Sequence, residues 1–388
     1  MIDIKNISYI RYAIENPLYK RVDEMTKHRL CGGKNIIYIV PNRYNASIRY
    51  RAENMLRTIN RLSGYKAYLF EMANMNVLLS NLELVNMVIF QRVICYEIDK
   101  YLNCIREKDI PILYDIDDWR FNKDCNHDKR HELNLYLGNM YGTILSQVDM
   151  IITTTDYLQD RLCKVFHKKV YLVNNFMDAV QYEISVTLRN KRNQVTSRQD
   201  FTIGYFGGES HYRDLEMIAP EIASFLNKHR EVKLRIVGMC NIPSPLNREE
   251  FENQIIILPY MDGYKLMKEY SKLDINLIPL VMDDFSQSRS EIKFFEAASV
   301  GVISIASPTK VYKKIAEETQ AIILCDCGSW LNELEKVYNN KYNMEDMIKK
   351  AVNYVEKNYI EQAMISDMSR FIFDVEESYE EMLYLGNR

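Results

Sequence analysis

The sequence predicts an α/β protein whose strands form two parallel sheets, one in each half of the chain. Short apolar runs alternate with stretches of helical periodicity between residues 35 and 324, and such alternation is typical of stacked βαβ units. Several runs are apolar at consecutive positions, as in strands that helices cover on both faces. A polar stretch, residues 184–200, separates the two series. These observations predict two Rossmann-like halves joined by a linker.

The N-terminal half contains six predicted strands, which are residues 35–40, 65–70, 87–90, 111–116, 150–153 and 170–173. Residues 1–30 and 77–84 look helical, as do the longer segments between the later strands. Ser47 has a side-chain oxygen suited to capping a helix, and apolar residues follow it at helical spacing through Ile59.

The C-terminal half repeats the pattern with predicted strands at residues 202–206, 233–237, 255–258, 275–278, 302–306 and 321–324. We therefore expect an N-terminal domain over residues 1–185, a linker over residues 186–200 and a C-terminal domain over residues 201–360. Residues 361–388 are predicted to be helical and could pack back on the N-terminal domain. Ligands of such sheets bind at the carboxyl ends of the strands, which predicts a site in the cleft between the halves.

Composition excludes several classes of protein. The chain of 388 residues is 47% hydrophobic and 27% charged, as in soluble globular proteins. It has no run of 18 apolar residues, and its first 20 residues are interrupted by charges, which argues against a transmembrane helix and a signal peptide. The eight cysteines are scattered and the net charge is −3, so we predict neither a disulfide framework nor a general nucleic-acid binder. The expected location is the cytoplasm.

Charge is unevenly distributed along the chain. Residues 1–61 hold 12 Lys and Arg against 5 Asp and Glu, whereas residues 345–388 hold 5 basic against 10 acidic side chains. The basic N-terminal part could meet an anionic acceptor or the acidic inner face of a membrane. A solvated face with nothing bound is the alternative interpretation.

The stretch from Ser286 to Ser307 contains the strongest indication of a ligand site. Small and polar residues surround Arg289, and a helical run from Glu291 to Val300 follows. A loop that leads into a helix N-terminus presents backbone N–H groups and the positive end of the helix dipole to an anion. Lys293 adds positive charge, and Glu296 lies one turn further along, where its carboxylate could accept hydrogen bonds from sugar hydroxyls. A sugar nucleotide presents phosphate and hydroxyls in this order. The alternative interpretation of the stretch is an ordinary amphipathic helix without a ligand.

Four motifs of the C-terminal half carry a family resemblance. They are Ile203-Gly204-Tyr205-Phe206-Gly207-Gly208 with His211 and Asp214, Leu234-Arg235-Ile236-Val237-Gly238, Asp274-Ile275-Asn276-Leu277-Ile278-Pro279, and Lys293-Phe294-Phe295-Glu296-Ala297-Ala298 with Gly301 and Ser307. Weaker matches lie at residues 114–118, 148–155 and 173–175. In this order the motifs resemble those of GT-B glycosyltransferases. Within that class they resemble the family 4 type and bacterial polysaccharide glycosyltransferases. The resemblance covers residues 35–330 and implies two Rossmann-like domains that face each other across a cleft.

The resemblance also implies roles for the matching residues. Arg289 and Lys293 would act in catalysis by stabilising the diphosphate as negative charge develops on it, and Glu296 would hold the ribose hydroxyls. The other donor-binding candidates are Gly207, Gly208, His211, Tyr260, Ser288 and Ser290. The glycines would let the backbone approach the donor closely. His211 could donate to phosphate or simply cap a turn, and Tyr260 could stack on the base or lie in the core.

One departure from the family's pattern concerns the stereochemistry of transfer. The usual pair of glutamates, eight positions apart, would need a glutamate at position 288, where this chain has Ser288. We expect a retaining enzyme from the resemblance, but inversion stays open because this glutamate is missing.

In the N-terminal half, Asp117 and Asp118 follow the fourth predicted strand and are the acid–base candidates. Adjacent residues of an extended segment point to opposite sides, so we expect only one of them to face the cleft and choose Asp117. It would deprotonate the acceptor hydroxyl in an inverting enzyme and orient the acceptor in a retaining one. A helix-capping role is the alternative. Asp118, Arg43 and Arg49 are candidates for the acceptor side. Arg43, Arg49 and Arg51 follow the first predicted strand and could meet the acceptor or a phosphate.

The predicted activity is transfer of a sugar from a nucleotide sugar of the UDP, GDP or dTDP type to a saccharide, lipid-linked or protein acceptor. The resemblance implies no cofactor and no essential metal ion, and Cys125, His127 and His131 lack a fourth ligand nearby. A catalytically silent GT-B protein that stabilises an active transferase is the first alternative, and an epimerase or phosphorylase is the second. The donor base, the acceptor and the oligomeric state stay open.

Overall fold

The computed structural model describes residues 18–41, 46–122, 131–194, 200–208, 211–239 and 241–386. Their Cα positions separate into two compact units. The N-unit takes its described residues from Met1–Phe121, Glu132–Asp178 and Glu361–Arg388, and the C-unit takes its described residues from Asn122–His131 and Ala179–Ile360. Within the described ranges, no helix is both long enough and apolar enough to cross a bilayer.

The N-unit is built on a sheet of six parallel strands. They are β1 (Lys34–Val40), β2 (Tyr65–Glu71), β3 (Met87–Gln91), β4 (Ile112–Asp115), β5 (Met150–Thr153) and β6 (Val170–Leu172), in the order β2-β1-β3-β4-β5-β6. Every residue of β3, β4 and β5 is buried, which explains their unbroken apolar runs.

Helices cover both faces of this sheet. They are α1 (Leu18–Leu30), α2 (Ala46–Ile48), a π-helical segment (Arg49–Glu53), α3 (Asn54–Ile59), α4 (Met75–Leu79), α5 (Ile98–Arg106), α6 (His131–Gln147) and α7 (Asp156–Phe166). Two clusters of buried apolar side chains lie in the unit, with Ile37 and Phe90 in one and Ile36 and Ile89 in the other. Neighbouring strand residues therefore pack into opposite cores.

The last helix of the chain belongs to the N-unit. This helix, α16 (Glu361–Tyr384), contributes Met368, Ile372 and Val375 to one of the two cores. Nζ of Lys34 lies 2.8 Å from Oε2 of Glu376 on the same helix. The chain thus returns to complete the N-unit after it has formed the C-unit.

The C-unit contains a second sheet of six parallel strands. They are β7 (Thr202–Phe206), β8 (Lys233–Val237), β9 (Ile255–Leu258), β10 (Ile275–Ile278), β11 (Ile303–Ala306) and β12 (Ile323–Leu324), in the order β12-β11-β10-β7-β8-β9. Its helices are α8 (Ala179–Asn193), α9 (Tyr212–Lys228), α10 (Gly263–Tyr270), α11 (Asp284–Ser288), α12 (Ile292–Ser299), α13 (Lys310–Thr319), α14 (Trp330–Tyr338) and α15 (Met344–Asn358). The prediction of two Rossmann-like halves is confirmed.

The predicted linker, residues 186–200, is helical in its first part, because α8 extends to Asn193. The polar composition of this stretch suggested a linker. Its arginines instead attach α8 to the rest of the C-unit by hydrogen bonds to backbone carbonyls. Nη1 of Arg189 donates to the carbonyl of Ser299 at 3.0 Å, and Nη1 of Arg192 donates to the carbonyl of Ser271 at 3.1 Å. Only a narrow stripe of α8 is buried, so an apolar periodicity is weak there.

Two further helix predictions need correction. Ser47 does not cap a helix, since α2 already begins at Ala46. Its hydroxyl instead lies 3.3 Å from Nε2 of Gln91 and 3.4 Å from Nη1 of Arg92. The helix predicted over residues 77–84 is divided into α4 and a 3₁₀ turn, Leu82–Leu84.

Candidate functional site

The sheet of the C-unit reverses its order of strand addition between β7 and β10, which are neighbours. From β7 the chain adds β8 and β9 on one side, and β11 and β12 follow β10 on the other. Ligands of open α/β sheets bind outside the carboxyl ends of the strands at such a switch point. The ends of β7 and β10 are therefore the edge at which the predicted donor residues should lie.

Three side chains meet at this edge. Nδ1 of His211 lies 3.0 Å from Oδ2 of Asp214, and both side chains come from the start of α9. Nη1 of Arg289, which follows α11, lies 2.7 Å from Nδ1 of His211 and 3.3 Å from Oδ2 of Asp214. The guanidinium carbon of Arg289 is 4.4 Å from the ring centroid of Phe285. The sequence placed His211 and Arg289 in one site, and the structure brings them into contact.

The surroundings fix the protonation of this cluster. Burial, together with the positive charges of Arg289 and Lys293, lowers the pKa of His211 to about 3. Burial alone would raise the pKa of Asp214, but the contact with His211 and the charge of Arg289 outweigh it and lower this pKa to about 2. At neutral pH the cluster therefore holds a neutral imidazole and an ionised carboxylate beside the guanidinium.

Lys293 brings a second cation from the first turn of α12. Its Nζ lies 5.2 Å from the ring centroid of Tyr205. Among the described residues this buried Nζ has no hydrogen-bond partner. Burial lowers the pKa of Lys293 to about 8. A buried ammonium without a hydrogen bond is costly, so an anion bound here would be strongly stabilising.

Glu296 lies one turn further along α12 and is 4% exposed. Its Oε1 lies 3.4 Å from Nε2 of Gln181 on α8. Ser288 is buried, and its hydroxyl donates to the carbonyl of Phe285 at 2.6 Å. Ser290 is partly exposed between the two helices. Glu296 thus lies on the same helix as Lys293, one turn after it.

The segment before Arg289 is a helical turn, α11, rather than the open loop that we expected. Oδ1 of Asp283 accepts from the backbone N–H of Ser286 at 2.8 Å, and the carbonyl of Asp283 accepts from the N–H of Gln287 at 2.9 Å. These backbone donors are satisfied inside the turn. The positive potential of the site therefore depends more on its side chains than on donors of this segment.

Two glycines bring the ends of β7 and β8 close together. A Cβ on Gly207 would lie 3.3 Å from Cβ of His211, and Gly238 has φ +91° with its Cβ position 3.0 Å from the carbonyl oxygen of Gly207. A Cβ on Gly208 would meet only the carbonyl oxygen of Gly238, at 4.0 Å. Gly238 therefore allows close packing of the two loops, whereas Gly207 leaves room for the side chain of His211. A role of Gly207 and Gly208 in donor approach stays a prediction.

Tyr260 lies beyond the end of β9 and is 68% exposed. The alternative of a core position is therefore wrong. Stacking of this ring on the base of a nucleotide stays a prediction.

In the N-unit, Asp117 and Asp118 share one guanidinium. Nη1 of Arg92 lies 3.3 Å from Oδ1 of Asp117 and 3.9 Å from Oδ2 of Asp118, and Nη2 of Arg120 lies 2.8 Å from Oδ2 of Asp118. We expected the two carboxylates on opposite sides, and this is wrong. The alternation of a strand does not apply, because β4 ends at Asp115.

Arg49 and Arg51 are both buried in the N-unit. Nε and Nη2 of Arg51 bind the carboxylate of Asp115 at 3.0 and 2.8 Å, and Nη1 donates to the carbonyl of Val173 at 2.6 Å. Burial raises the pKa of Asp115 to about 6 against the opposing charge of Arg51. Arg51 therefore joins three segments of the fold, and Nη2 of Arg49 lies 4.0 Å from Oδ2 of Asp178.

The remaining predictions fall partly outside the described residues. Arg43, Cys125 and His127 lie there, as does the side chain of His131. In the part of the chain that the structure describes, no group of three or more His, Cys, Asp or Glu side chains could hold a metal ion.

Sequence reasoning missed the parts played by Asp214, Arg92 and Gln181. Asp214 stood in a quoted motif without a role, although its spacing from His211 places the two on one helical face. The sequence showed only that Arg92 is a cation that follows a predicted strand. Gln181 lay next to the supposed linker, and nothing in the sequence linked it to Glu296.

Comparisons with known proteins agree with this architecture. Residues 200–340 match the family model described as glycosyl transferases group 1, which agrees with the resemblance stated for the C-terminal half of the chain. No curated protein matches the sequence.

Solved structures resemble the whole fold at low sequence identity. HepE of Anabaena in complex with UDP-glucose is 11% identical with a TM-score of 0.61, and the match covers 88% of this chain and 99% of HepE. Sucrose-phosphate synthase from Thermosynechococcus elongatus is 12% identical with a TM-score of 0.65, covering 89% and 100%. A putative UDP-N-acetylglucosamine 2-epimerase from Listeria monocytogenes is 10% identical with a TM-score of 0.54, covering 90% and 97%. The predicted GT-B fold, with its two Rossmann-like units, is confirmed.

Proposed function

We propose that the chain is a glycosyltransferase of the family 4 type that takes its sugar from a nucleotide-sugar donor bound to the C-unit. The observation that carries the proposal is the convergence of Arg289 and Lys293 at the ends of β7 and β10, with Glu296 one turn further along α12. Two cations match a diphosphate, and a carboxylate accepts hydrogen bonds from ribose hydroxyls. The match of residues 200–340 to glycosyl transferases group 1 supports the same activity.

UDP is the first nucleotide to test, because the neighbouring HepE structures are complexes with UDP-glucose and with UDP. In the reaction, Arg289 and Lys293 would stabilise the negative charge that develops on the leaving diphosphate. Tyr260 would stack on the base, and His211, Ser288, Ser290, Gly207 and Gly208 would line the donor.

On the acceptor side, we propose that Asp117 deprotonates or orients the acceptor hydroxyl and that Asp118, Arg43 and Arg49 support acceptor binding. The acceptor would be a saccharide, a lipid-linked saccharide or a protein. We expect retention of configuration and activity without an added metal ion. A cytoplasmic location with contact to an acidic membrane surface stays part of the proposal.

Thermal unfolding in the presence of UDP, GDP, dTDP and their sugars tests the donor site. We expect one nucleotide family to raise the midpoint, since a ligand of the folded state stabilises it. Lys293→Ala should remove most of that rise. Lys350→Ala, at an exposed ion pair with Asp346 in the same unit, is the matched control and should keep it.

The alternative of a silent partner protein is supported by Ser288, which replaces the expected glutamate. Release of UDP from UDP-glucose with an acceptor present separates the two functions, because a silent protein would bind the nucleotide sugar without cleaving it. The epimerase alternative is supported by the fold of the Listeria neighbour. Conversion of UDP-N-acetylglucosamine into its C2 epimer would identify it.

A further inference from the structure

We propose that Asp214 is a positioning residue of the donor site, which holds Arg289 in place for the diphosphate and exchanges partners with His211 when Arg289 turns to the ligand. The inference rests on the proposed function for its ligand but concerns a residue to which no role has yet been given. Asp214 would act through Arg289 and His211, not by contact with the nucleotide.

The carboxylate of Asp214 joins three segments of the C-unit. The residue is fully buried, at 0% exposure, in the first turn of α9. Its Oδ1 accepts from the backbone N–H of Val281, beyond the end of β10, at 2.9 Å. Its Oδ2 faces Nδ1 of His211 at 3.0 Å and Nη1 of Arg289 at 3.3 Å. One buried anion thus connects both strands of the switch point with the arginine that follows α11.

The contacts of His211 cannot all be hydrogen bonds at once. A guanidinium has only donors, so the contact of 2.7 Å between Nη1 of Arg289 and Nδ1 of His211 requires Nδ1 to be an acceptor. The contact of 3.0 Å between the same Nδ1 and Oδ2 of Asp214 requires Nδ1 to carry a proton. A neutral imidazole satisfies one contact or the other, depending on its tautomer.

Two arrangements of the cluster follow. While Arg289 donates to Asp214 and to Nδ1, the single proton of His211 is on Nε2. Once Arg289 turns to a diphosphate, His211 can carry its proton on Nδ1 and donate it to Asp214. The carboxylate keeps a hydrogen-bond donor on Oδ2 in both states, which matters because a buried ionised carboxylate without one is costly. The exchange moves one proton between the two ring nitrogens through solvent and changes no net charge.

Binding of UDP to variants tests the positioning role by titration calorimetry. Asp214→Asn should weaken UDP binding by about tenfold to a hundredfold, the range for loss of a hydrogen bond to a charged group. In the Arg289→Ala background the same change should cost less than about threefold, because residues that act as a unit are not additive. Wild-type affinity of Asp214→Asn, or losses that simply add in the double variant, would overturn the proposal.

The tautomer of His211 provides a second measurement, because a purely structural role of Asp214 would not change this tautomer. Nitrogen NMR of the imidazoles in the free protein should show Nδ1 of His211 without a proton. In Arg289→Ala, which leaves the bond between Asp214 and Val281 in place, Nδ1 should become protonated. An unchanged tautomer would contradict the exchange. This measurement needs no nucleotide, so it remains decisive for Asp214 even if UDP proves not to bind and the proposed function fails.

Discussion

Nη1 of Arg92 lies 3.3 Å from Oδ1 of Asp117 in the N-unit. Arg92 directly follows β3 and has φ +51°, a left-handed conformation that a residue with a Cβ rarely adopts. Such a conformation costs on the order of 1–3 kcal/mol and persists only where the surroundings maintain it. Here its backbone N–H donates to the carbonyl of Asp115 at 3.1 Å, and its side chain reaches both candidate carboxylates. The pair therefore lies at the carboxyl ends of β3 and β4, the edge at which we propose that the acceptor binds.

Replacement of Asp117 by Asn should lower the rate of UDP release from UDP-glucose with an acceptor present by about a hundredfold or more, the usual contribution of a positioned acid or base. The affinity for UDP should stay within about twofold, because the proposed nucleotide site lies wholly in the C-unit. Asp160→Asn removes an exposed carboxylate of the N-unit that pairs with Lys164, and it should change neither quantity. Equal rates for Asp117→Asn and the wild type would exclude Asp117 as the acid–base residue.

The affinity for UDP should depend on pH through Lys293, whose pKa is lowered to about 8. The ammonium loses its charge as the pH rises through that value, so binding should weaken on the alkaline side. Between pH 7 and pH 9 we expect a loss of about tenfold, one decade for each unit above the pKa. Calorimetric titrations with UDP across this range measure it.

Lys293→Arg is the control for this pH dependence, because a guanidinium keeps its charge throughout the range. Its affinity for UDP should be nearly equal at pH 7 and pH 9, whatever its absolute value. A decline with pH that the Arg variant shares would assign the titration to another group.

The contribution of Glu296 to UDP binding should depend on the ribose hydroxyls. Glu296→Ala should weaken UDP binding by about tenfold to a hundredfold, since a hydrogen bond to a charged group is lost. Deoxy analogues of UDP, which lack a ribose hydroxyl, should bind the wild type weakly and lose little more in the variant. If Glu296→Ala weakens UDP and its deoxy analogues by the same factor, the carboxylate does not hold a ribose hydroxyl.

The C-terminal helix α16 should stabilise the N-unit. Met368 is 1% exposed in one of its cores, so Met368→Ala should lower the free energy of unfolding of that unit by about 2–5 kcal/mol. Phe373 on the same helix is 62% exposed, and Phe373→Ala should change it by no more than about 0.5 kcal/mol. Urea unfolding measures both. Similar effects of the two changes would show that α16 does not pack as described.

The pattern of apolar residues in the sequence was sufficient to predict those strands in which every residue is buried. The runs at residues 275–278 and 150–153 match β10 and β5 because every residue of these strands is buried. The same reasoning failed for α8, where polar residues such as Arg189 and Arg192 anchor the helix by reaching backbone carbonyls. A helix attached by charged side chains looks like a linker in composition.

The candidate site was predictable only where its residues are close in sequence. Arg289, Lys293 and Glu296 lie within one stretch, so their order suggested a diphosphate and a ribose. Asp214 contacts Arg289 across 75 positions of the chain, and Arg92 meets Asp117 across two different strand ends. Such contacts arise from the strand order of each sheet, which local sequence patterns do not determine.

A crystal structure of the protein with UDP tests the central claim most directly. We predict the diphosphate within about 3 Å of the terminal nitrogens of Arg289 and Lys293, the usual hydrogen-bond distance, and the ribose beside Glu296. A nucleotide bound away from the carboxyl ends of β7 and β10, or these three side chains turned away from it, would contradict the account.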